Sequence, residues 1–264
     1  MLPIDEKFYN SAKHRLFNGE KLIGAWAQIA NPMSAEIMAR GGFDFLLIDL
    51  EHGPGDITTL ITQLQAMKGY GCSSIVRVQW NDFVTIKRVL DTGAYGIHVP
   101  YVNTAAEAEM AVKAVKYPPE GIRGIAGSPR ALGYGLNSKD YFEYANAEVL
   151  MYIALETPTA VENLDDIMKV PGVDGIFIGP MDLATSMGYL GNPGHPEVQK
   201  TIRVIEEKVF ASRKFLGTVA GSYENAKDLF DRGYQYIVAM SDSIELSKQS
   251  YNITRQFKKD FAAK

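Results

Sequence analysis

The chain has 264 residues, 46% of them hydrophobic and 22% charged, with a formal net charge of −4. That balance supplies a large core and argues against a nucleic-acid footprint. Cys72 is the lone cysteine, which excludes an intrachain disulfide and any multi-cysteine zinc site. The polar, mixed-charge start lacks the apolar stretch of a signal peptide, and no apolar run approaches the roughly 20 residues of a membrane span. The expectation is a soluble protein of a reducing cytoplasm.

In chain order, "LIGAWAQI" (22–29) reads as a strand before the helical "SAEIMARGG". "FDFLLIDLE" precedes "ITTLITQLQAMKGY", "SSIVRVQ" precedes "DFVTIKRVLDTG", and "YGIHVPYV" precedes "TAAEAEMAVKAVKY". A Gly- and Pro-rich segment follows at 118–137, and loops of that length are usually functional or mobile. It is expected to help select the substrate, together with neighbouring subunits. Then come "LMYIALE" before "AVENLDDIMKV", "VDGIFIG" before a glycine-rich loop and "PEVQKTIRVIEEKVFASR", and "KFLGTVA" before "SYENAKDLFDRG". "YQYIVAMS" leads into the last helix. The strands are continuous apolar runs, the mark of parallel strands covered on both faces. Eight such units at this length predict a (β/α)8 barrel, a single domain over 1–264, with a doubly wound open sheet as the alternative. Helices ending in "RGGFDF", "DTGAYG" and "DRGYQY" place glycine where a left-handed cap reverses the chain.

Active sites of such barrels lie at the C-terminal ends of the strands, so the polar strand ends were read as candidates. "FLLIDLEHGPGD" (45–56) runs from an apolar strand into Asp49, Glu51 and His52. Arg77 sits inside an apolar strand, which requires a buried partner or a site. Glu156 and Asp182 end consecutive strands. Each has a plain structural reading: Glu156 as a helix-start charge, Asp182 as a turn or cap, His52 as a loop histidine. Asp91, at a helix C-terminus, opposes the helix dipole, which suggests a partner. His98 is read as a satisfied core or subunit-contact group. Together, two carboxylates with open positions suit a hard divalent ion such as Mg2+ or Mn2+. An arginine beside it stabilises an oxyanion, and a histidine moves protons. Those parts suit enolate chemistry on a 2-oxo acid.

The words "GFDFLLIDLEHGP", "VRVQWND", "YPPEGIRG", "ALETP" and "GVDGIFIGPMDLATSMGYLGNPGHPEV" resemble the HpcH/HpaI aldolases, metal-dependent (class II) pyruvate aldolases on a (β/α)8 barrel. The resemblance implies reversible cleavage of 4-hydroxy-2-oxo acids to pyruvate and an aldehyde, with Mg2+, Mn2+ or Co2+. It implies His52 as a base acting through water, paired with Asp91, and Arg77 stabilising the pyruvate enolate. Glu156 and Asp182 would bind the metal, and the N–H groups of Met181 and Asp182 the substrate carboxylate. It further implies a homohexamer, with the C-terminal helix exchanged between paired subunits. Two positions depart from the family pattern. Ala154 stands where much of the family has a glutamine that contacts substrate, and Met181 is larger than the usual residue. Oxaloacetate decarboxylation, biosynthetic aldol addition and a non-catalytic 2-oxo-acid binding protein remain as alternatives. Replacing Arg77 with Ala is expected to abolish catalysis and leave the fold intact.

Overall fold

Eight parallel strands close into a barrel in chain order, with the last pairing back to the first. The structure is a computed structural model and describes residues 7–261. The strands are β1 (Leu22–Ala27), β2 (Phe45–Asp49), β3 (Ser73–Arg77), β4 (Gly96–Val99), β5 (Leu150–Leu155), β6 (Gly175–Ile178), β7 (Phe215–Val219) and β8 (Tyr236–Ser241). Helices alternate with them, so the (β/α)8 expectation is met and the open-sheet alternative is not. Gly42, Gly93 and Gly233 have φ of 94°, 90° and 115°, the left-handed turns that the helix–strand junctions needed. Helix starts are fixed by side-chain caps: Asp56 and Thr104 form reciprocal capping boxes, and Asp82, Thr157 and Ser222 each accept one N–H. These caps end the loops at the C-terminal rim and keep most of them short.

Two apolar layers result from the strand alternation. Ile153 and Leu155 of β5 face the helices, whereas Leu150 and Tyr152 face the barrel interior. The interior is aromatic: Phe45 stacks on Tyr236 at 3.9 Å between centroids, and Tyr152 lies 4.4 Å from Tyr236. Rings of that size fit only because strands facing them carry glycine. A Cβ on Gly217 would lie 2.7 Å from both the Tyr236 ring and its carbonyl oxygen, and one on Gly24 would lie 2.2 Å from the Phe45 ring.

The segment 118–137 lies at the N-terminal rim, between the end of the Ala105–Val115 helix and the helix Ser138–Glu148 that leads into β5. Arg123 is buried there, packed on Tyr117 and Tyr141 and bonded to Asp91 and the Tyr141 hydroxyl. Within one chain this segment is therefore at the opposite end from the strand C-termini, and it does not line the site as expected.

The last helix, Asp242–Phe261, buries only Asp242 among its described residues. That carboxylate accepts from the N–H groups of Gln28, Ile29 and Ser243 and from the Ser34 hydroxyl. Ile244, Leu246, Tyr251, Ile253, Phe257 and Phe261 are exposed along the helix. No helix among the described residues is long and apolar enough to cross a membrane.

Gly217→Ala is expected to destabilise the barrel by about 1–3 kcal/mol, because the added methyl meets a backbone carbonyl that cannot move independently. Urea denaturation reads this as a lower midpoint at unchanged slope.

Candidate active site

β1, β2 and β3 bring their last inward side chains to one level at the C-terminal rim. Asp49 pairs in register with Arg77, and Arg77 with His98. Arg77 donates from Nε to Asp49 Oδ1 at 3.0 Å and from Nη2 to Oδ2 at 2.7 Å, a two-pronged, fully buried pair. Its guanidinium lies 4.2 Å over the Trp26 ring. Nη1 lies 3.1 Å from Glu51 Oε2. Gln28 donates to Asp49 as well, and the N–H groups of Glu51 and His52 converge on the same carboxylate. Burial alone would raise the Asp49 pKa, but Arg77, Gln28 and the His52 N–H outweigh it and hold the carboxyl below its usual range. This satisfies the strand-tip charges that the sequence left unexplained. Asp49 orients Arg77, and Glu51 caps the free edge of the guanidinium.

Glu156, just past β5, is buried and accepts the Tyr101 N–H at 2.9 Å. Tyr101 reaches it from a left-handed backbone, φ 57°, with its ring stacked on Trp80. A non-glycine residue held there is strained, and the strain aims one N–H at the carboxylate. Burial, opposed in part by that N–H and reinforced by Asp182 and Glu51, pushes the Glu156 pKa up to about 7. Glu51 is likewise raised, chiefly by burial.

Asp182 lies in the first turn of the helix Pro180–Ser186. Gly179 separates it from Glu156. A Cβ on Gly179 would lie 3.0 Å from Glu156 Cγ, 3.2 Å from its Oε1 and 3.4 Å from Asp182 Oδ2. The two carboxylates thus bracket a space that only glycine leaves open. Gly179 offers no capping side chain and Pro180 no N–H, so Met181 and Asp182 hold the first amides of that turn. No cluster of three or more His, Cys, Asp or Glu able to hold a metal occurs among the described residues. Two carboxylates, leaving the other positions to water and substrate oxygens, fit a hard divalent ion and no closed site.

A cavity of about 120 Å3 opens between these groups, lined by Trp26, Arg77, His98, Glu156, Phe177 and Asp182, with Met181 and Val219 among its other walls. It has room for a molecule of a few heavy atoms. His52 does not line it; it lies in the turn after β2, largely exposed, 3.9 Å from Glu51. The structure brings together Arg77, Glu156, Met181 and Asp182, with His52 near them through Glu51. It does not bring Asp91 there. Asp91 ends the helix Phe83–Asp91 at the opposite rim, where it pairs with Arg123 at 3.0 Å. Helices of the barrel run antiparallel to the strands, so a helix C-terminus cannot reach the strand C-termini of its own chain. Within one chain the expected His52–Asp91 pair does not form. His98 also departs from expectation, since neither ring nitrogen has a hydrogen-bond partner. Sequence reasoning missed Trp26, Tyr101 and Phe177; an alternating count of inward positions signals Trp26 and Phe177, and nothing signals Tyr101.

With this geometry in view, the comparisons with known proteins decide the family. A family model described as HpcH/HpaI aldolase/citrate lyase matches residues 22–247, from β1 into the last helix. The chain belongs to the HpcH/HpaI family. Among its relatives is a 5-keto-4-deoxy-D-glucarate aldolase of Escherichia coli K12, 40% identical over 97% of this chain and 99% of that protein. A HpcH/HpaI family protein from Burkholderia cenocepacia J2315 superposes with a TM-score of 0.90 at 32% identity, covering 94% of this chain and 99% of its own. The structure of the citrate synthase SbnG is similar too, with a TM-score of 0.83 at 29% identity, covering 94% and 98%. As an HpcH/HpaI enzyme the protein is a carbon–carbon lyase of the aldolase type.

Two predictions follow from the burial of this site. Arg77→Ala strands the Asp49 carboxylate in the barrel, so a loss of about 3–5 kcal/mol of stability is expected, and not the intact fold that the sequence suggested. Thermal and urea unfolding measure it. The second concerns metal-free protein. The folded pKa of Glu156, about 7, lies above its ordinary 4.5, so the folded state holds the proton more tightly than the unfolded chain. The stabilisation is complete below about 4.5 and lost as pH rises through 7, on the order of 3 kcal/mol in all. Denaturation of metal-free protein at pH 5 and pH 8 is expected to show this loss, and Glu156→Gln is expected to remove it.

Proposed function

We propose that the protein catalyses the reversible, divalent-metal-dependent cleavage of a 4-hydroxy-2-oxo acid to pyruvate and an aldehyde. The observation that carries this reading is the pair Glu156 and Asp182, bracketing Gly179 above a small cavity shared with Arg77. The substrate class is a sugar-acid derivative. This is supported by the E. coli relative, whose name gives 5-keto-4-deoxy-D-glucarate as its substrate.

Glu156 and Asp182 would hold the ion, Mg2+, Mn2+ or Co2+. When bound it supplies a Lewis acid to the keto and carboxylate oxygens of the 2-oxo acid. The N–H groups of Met181 and Asp182, ahead of an uncapped helix, receive the substrate carboxylate. Arg77 faces the oxygen on which negative charge develops as the carbon–carbon bond breaks. Its fork is fixed by Asp49 and Trp26, so it needs no reorganisation during the reaction. His52, at the rim, takes the proton of the 4-hydroxyl through water. Asp91 of the same chain has no part in this, and its reach to a His52 requires a second chain. The walls Trp26, Phe177 and Val219 keep bulk water from the carbanion carbon.

The assembly proposed is a homohexamer in which the C-terminal helix exchanges between paired subunits. Its support is the row of exposed apolar side chains on Asp242–Phe261, which a soluble monomer rarely leaves uncovered. Aldol addition or oxaloacetate decarboxylation on the same enolate is the second reading, favoured by the likeness to a citrate synthase.

Exchange of the pyruvate methyl protons with deuterium, followed by NMR, tests the chemistry without knowledge of the aldehyde. Exchange that appears with Mg2+ or Mn2+ and stops on chelation is expected, and its absence with every metal defeats the proposal. Arg77→Lys keeps the charge but loses the two-pronged geometry, and a fall in exchange of about 100-fold is expected. Glu156→Gln is expected to weaken Mn2+ binding at least about 10-fold, on the scale of a lost metal-site contact, with equal affinity counting against the two-carboxylate site. Product analysis separates cleavage from decarboxylation.

A further inference from the structure

Among the described residues of the barrel interior, His98, Tyr152 and Tyr236 have buried polar side-chain atoms without a hydrogen-bond partner, and of these three His98 alone lines the cavity. It sits mid-strand on β4, is 1% exposed, and lines the cavity beside Arg77 and Phe177. Its ring packs edge-on against Phe177 at 4.8 Å and lies 6.4 Å from Trp26. Nδ1 and Nε2 are both buried without a hydrogen-bond partner. A buried imidazole with two unpaired nitrogens costs stability, and an apolar side chain of similar size would fill the same place without that cost. The polar atoms therefore answer to something that enters the cavity.

The neighbouring strand says what is missing. His98 pairs in register with Tyr152, two residues before Ala154. By strand alternation Tyr152, Ala154 and Glu156 all face inward, and Ala154 is fully buried. At that inward position, one strand repeat below Glu156, it carries a methyl group and no polar atom. We propose that His98 is a substrate-binding residue, whose ring N–H donates to an oxygen of the bound 2-oxo acid and so supplies the polar contact that position 154 lacks. This rests on the 2-oxo-acid reading given above. Burial, with the adjacent Arg77, pushes the His98 pKa down to about 3, so the ring stays neutral and keeps one N–H to donate and one nitrogen to accept. A neutral donor binds an anion without adding a second buried charge next to Arg77.

The test combines kinetics, stability and a direct probe of the ring. His98→Leu is expected to raise the KM for pyruvate in the metal-dependent exchange reaction by about 10-fold, the scale of one lost hydrogen bond. The same variant should change kcat little and leave Mn2+ affinity unchanged. Its melting temperature should equal or exceed that of the parent, since an unpaired polar group has been removed. Adding Ala154→Gln to His98→Leu is expected to restore most of the KM. Titrating pyruvate into the Mg2+-loaded parent, with histidine labelled in 15N, should shift the ring nitrogens assigned to His98. A KM within twofold of the parent, or ring nitrogens that do not respond to pyruvate, overturns the assignment while leaving the aldolase reading intact. If His98→Leu does not fold, the 15N titration of the parent decides. A parent that binds metal but neither exchanges nor binds pyruvate overturns the 2-oxo-acid reading, and this assignment with it.

Discussion

A buried, two-pronged ion pair between Asp49 and Arg77 fixes the geometry of this site. Taking a guanidinium and a carboxylate out of water costs several kcal/mol each, and only near-ideal geometry with every remaining hydrogen bond satisfied offsets it. Here three strands and one loop supply most of these conditions, and the outer Nη1 meets Glu51 Oε2 at 3.1 Å as an ion pair without a well-formed hydrogen bond. Trp26 of β1 supports the guanidinium face, and Gln28 and two loop amides complete the Asp49 oxygens. Glu51 meets the outer edge of Arg77. The turn after β2 is folded around its own strand tip by those amides, and His52 is carried to the rim as a result. A charge that a monotonous apolar barrel would exclude becomes the reason the loops hold their shape.

The same logic runs in the opposite direction on the other side of the cavity. Asp49 is driven toward ionisation by a partner, whereas Glu156 is driven toward protonation by burial and by the facing carboxylates. Two acids a few residues from strand ends thus have opposite proton affinities. One is spent on holding an arginine. The other is left with a raised proton affinity inside a cavity, the kind of perturbation that clusters at functional sites.

Much of this was legible in the sequence. Continuous apolar runs marked parallel strands, and glycines before them marked the reversals, because both signals are local. The residues at strand ends followed from barrel geometry: Arg77, Glu156 and Asp182 meet where strand counting put them. What failed was anything that depends on which rim a residue occupies or on a partner far along the chain. Asp91 was expected to have a partner and has one, but within the chain it is Arg123 and not His52, and Arg123 comes from an irregular loop that carries no periodic signal. The loop 118–137 was assigned to substrate selection together with neighbouring subunits; within its own chain, a segment between a helix end and the next strand start belongs to the far rim. His98 was taken for a satisfied core or subunit-contact group. Its hydrogen-bonding state depends on side chains from other strands, Trp26, Arg77 and Phe177 among them, and is invisible in "GIHVP". Tyr101 was passed over because an unusual backbone angle leaves no trace in residue type.

Gln28 is where two parts of the molecule share one side chain. Its amide nitrogen bonds Asp49, its amide oxygen accepts from Ser241, and its backbone N–H is held by Asp242 at the root of the last helix. An amide has a single orientation that serves a carboxylate on one side and a hydroxyl on the other, so it transmits a displacement instead of absorbing it. The terminal helix is a lever pivoted at its first residue, and the pivot is bolted to the cradle of Arg77. Side chains from the first strand's end, the second strand, the eighth strand and the last helix thus meet at one residue, so a substitution of Gln28 would disturb the cradle of Arg77 and the root of the terminal helix together.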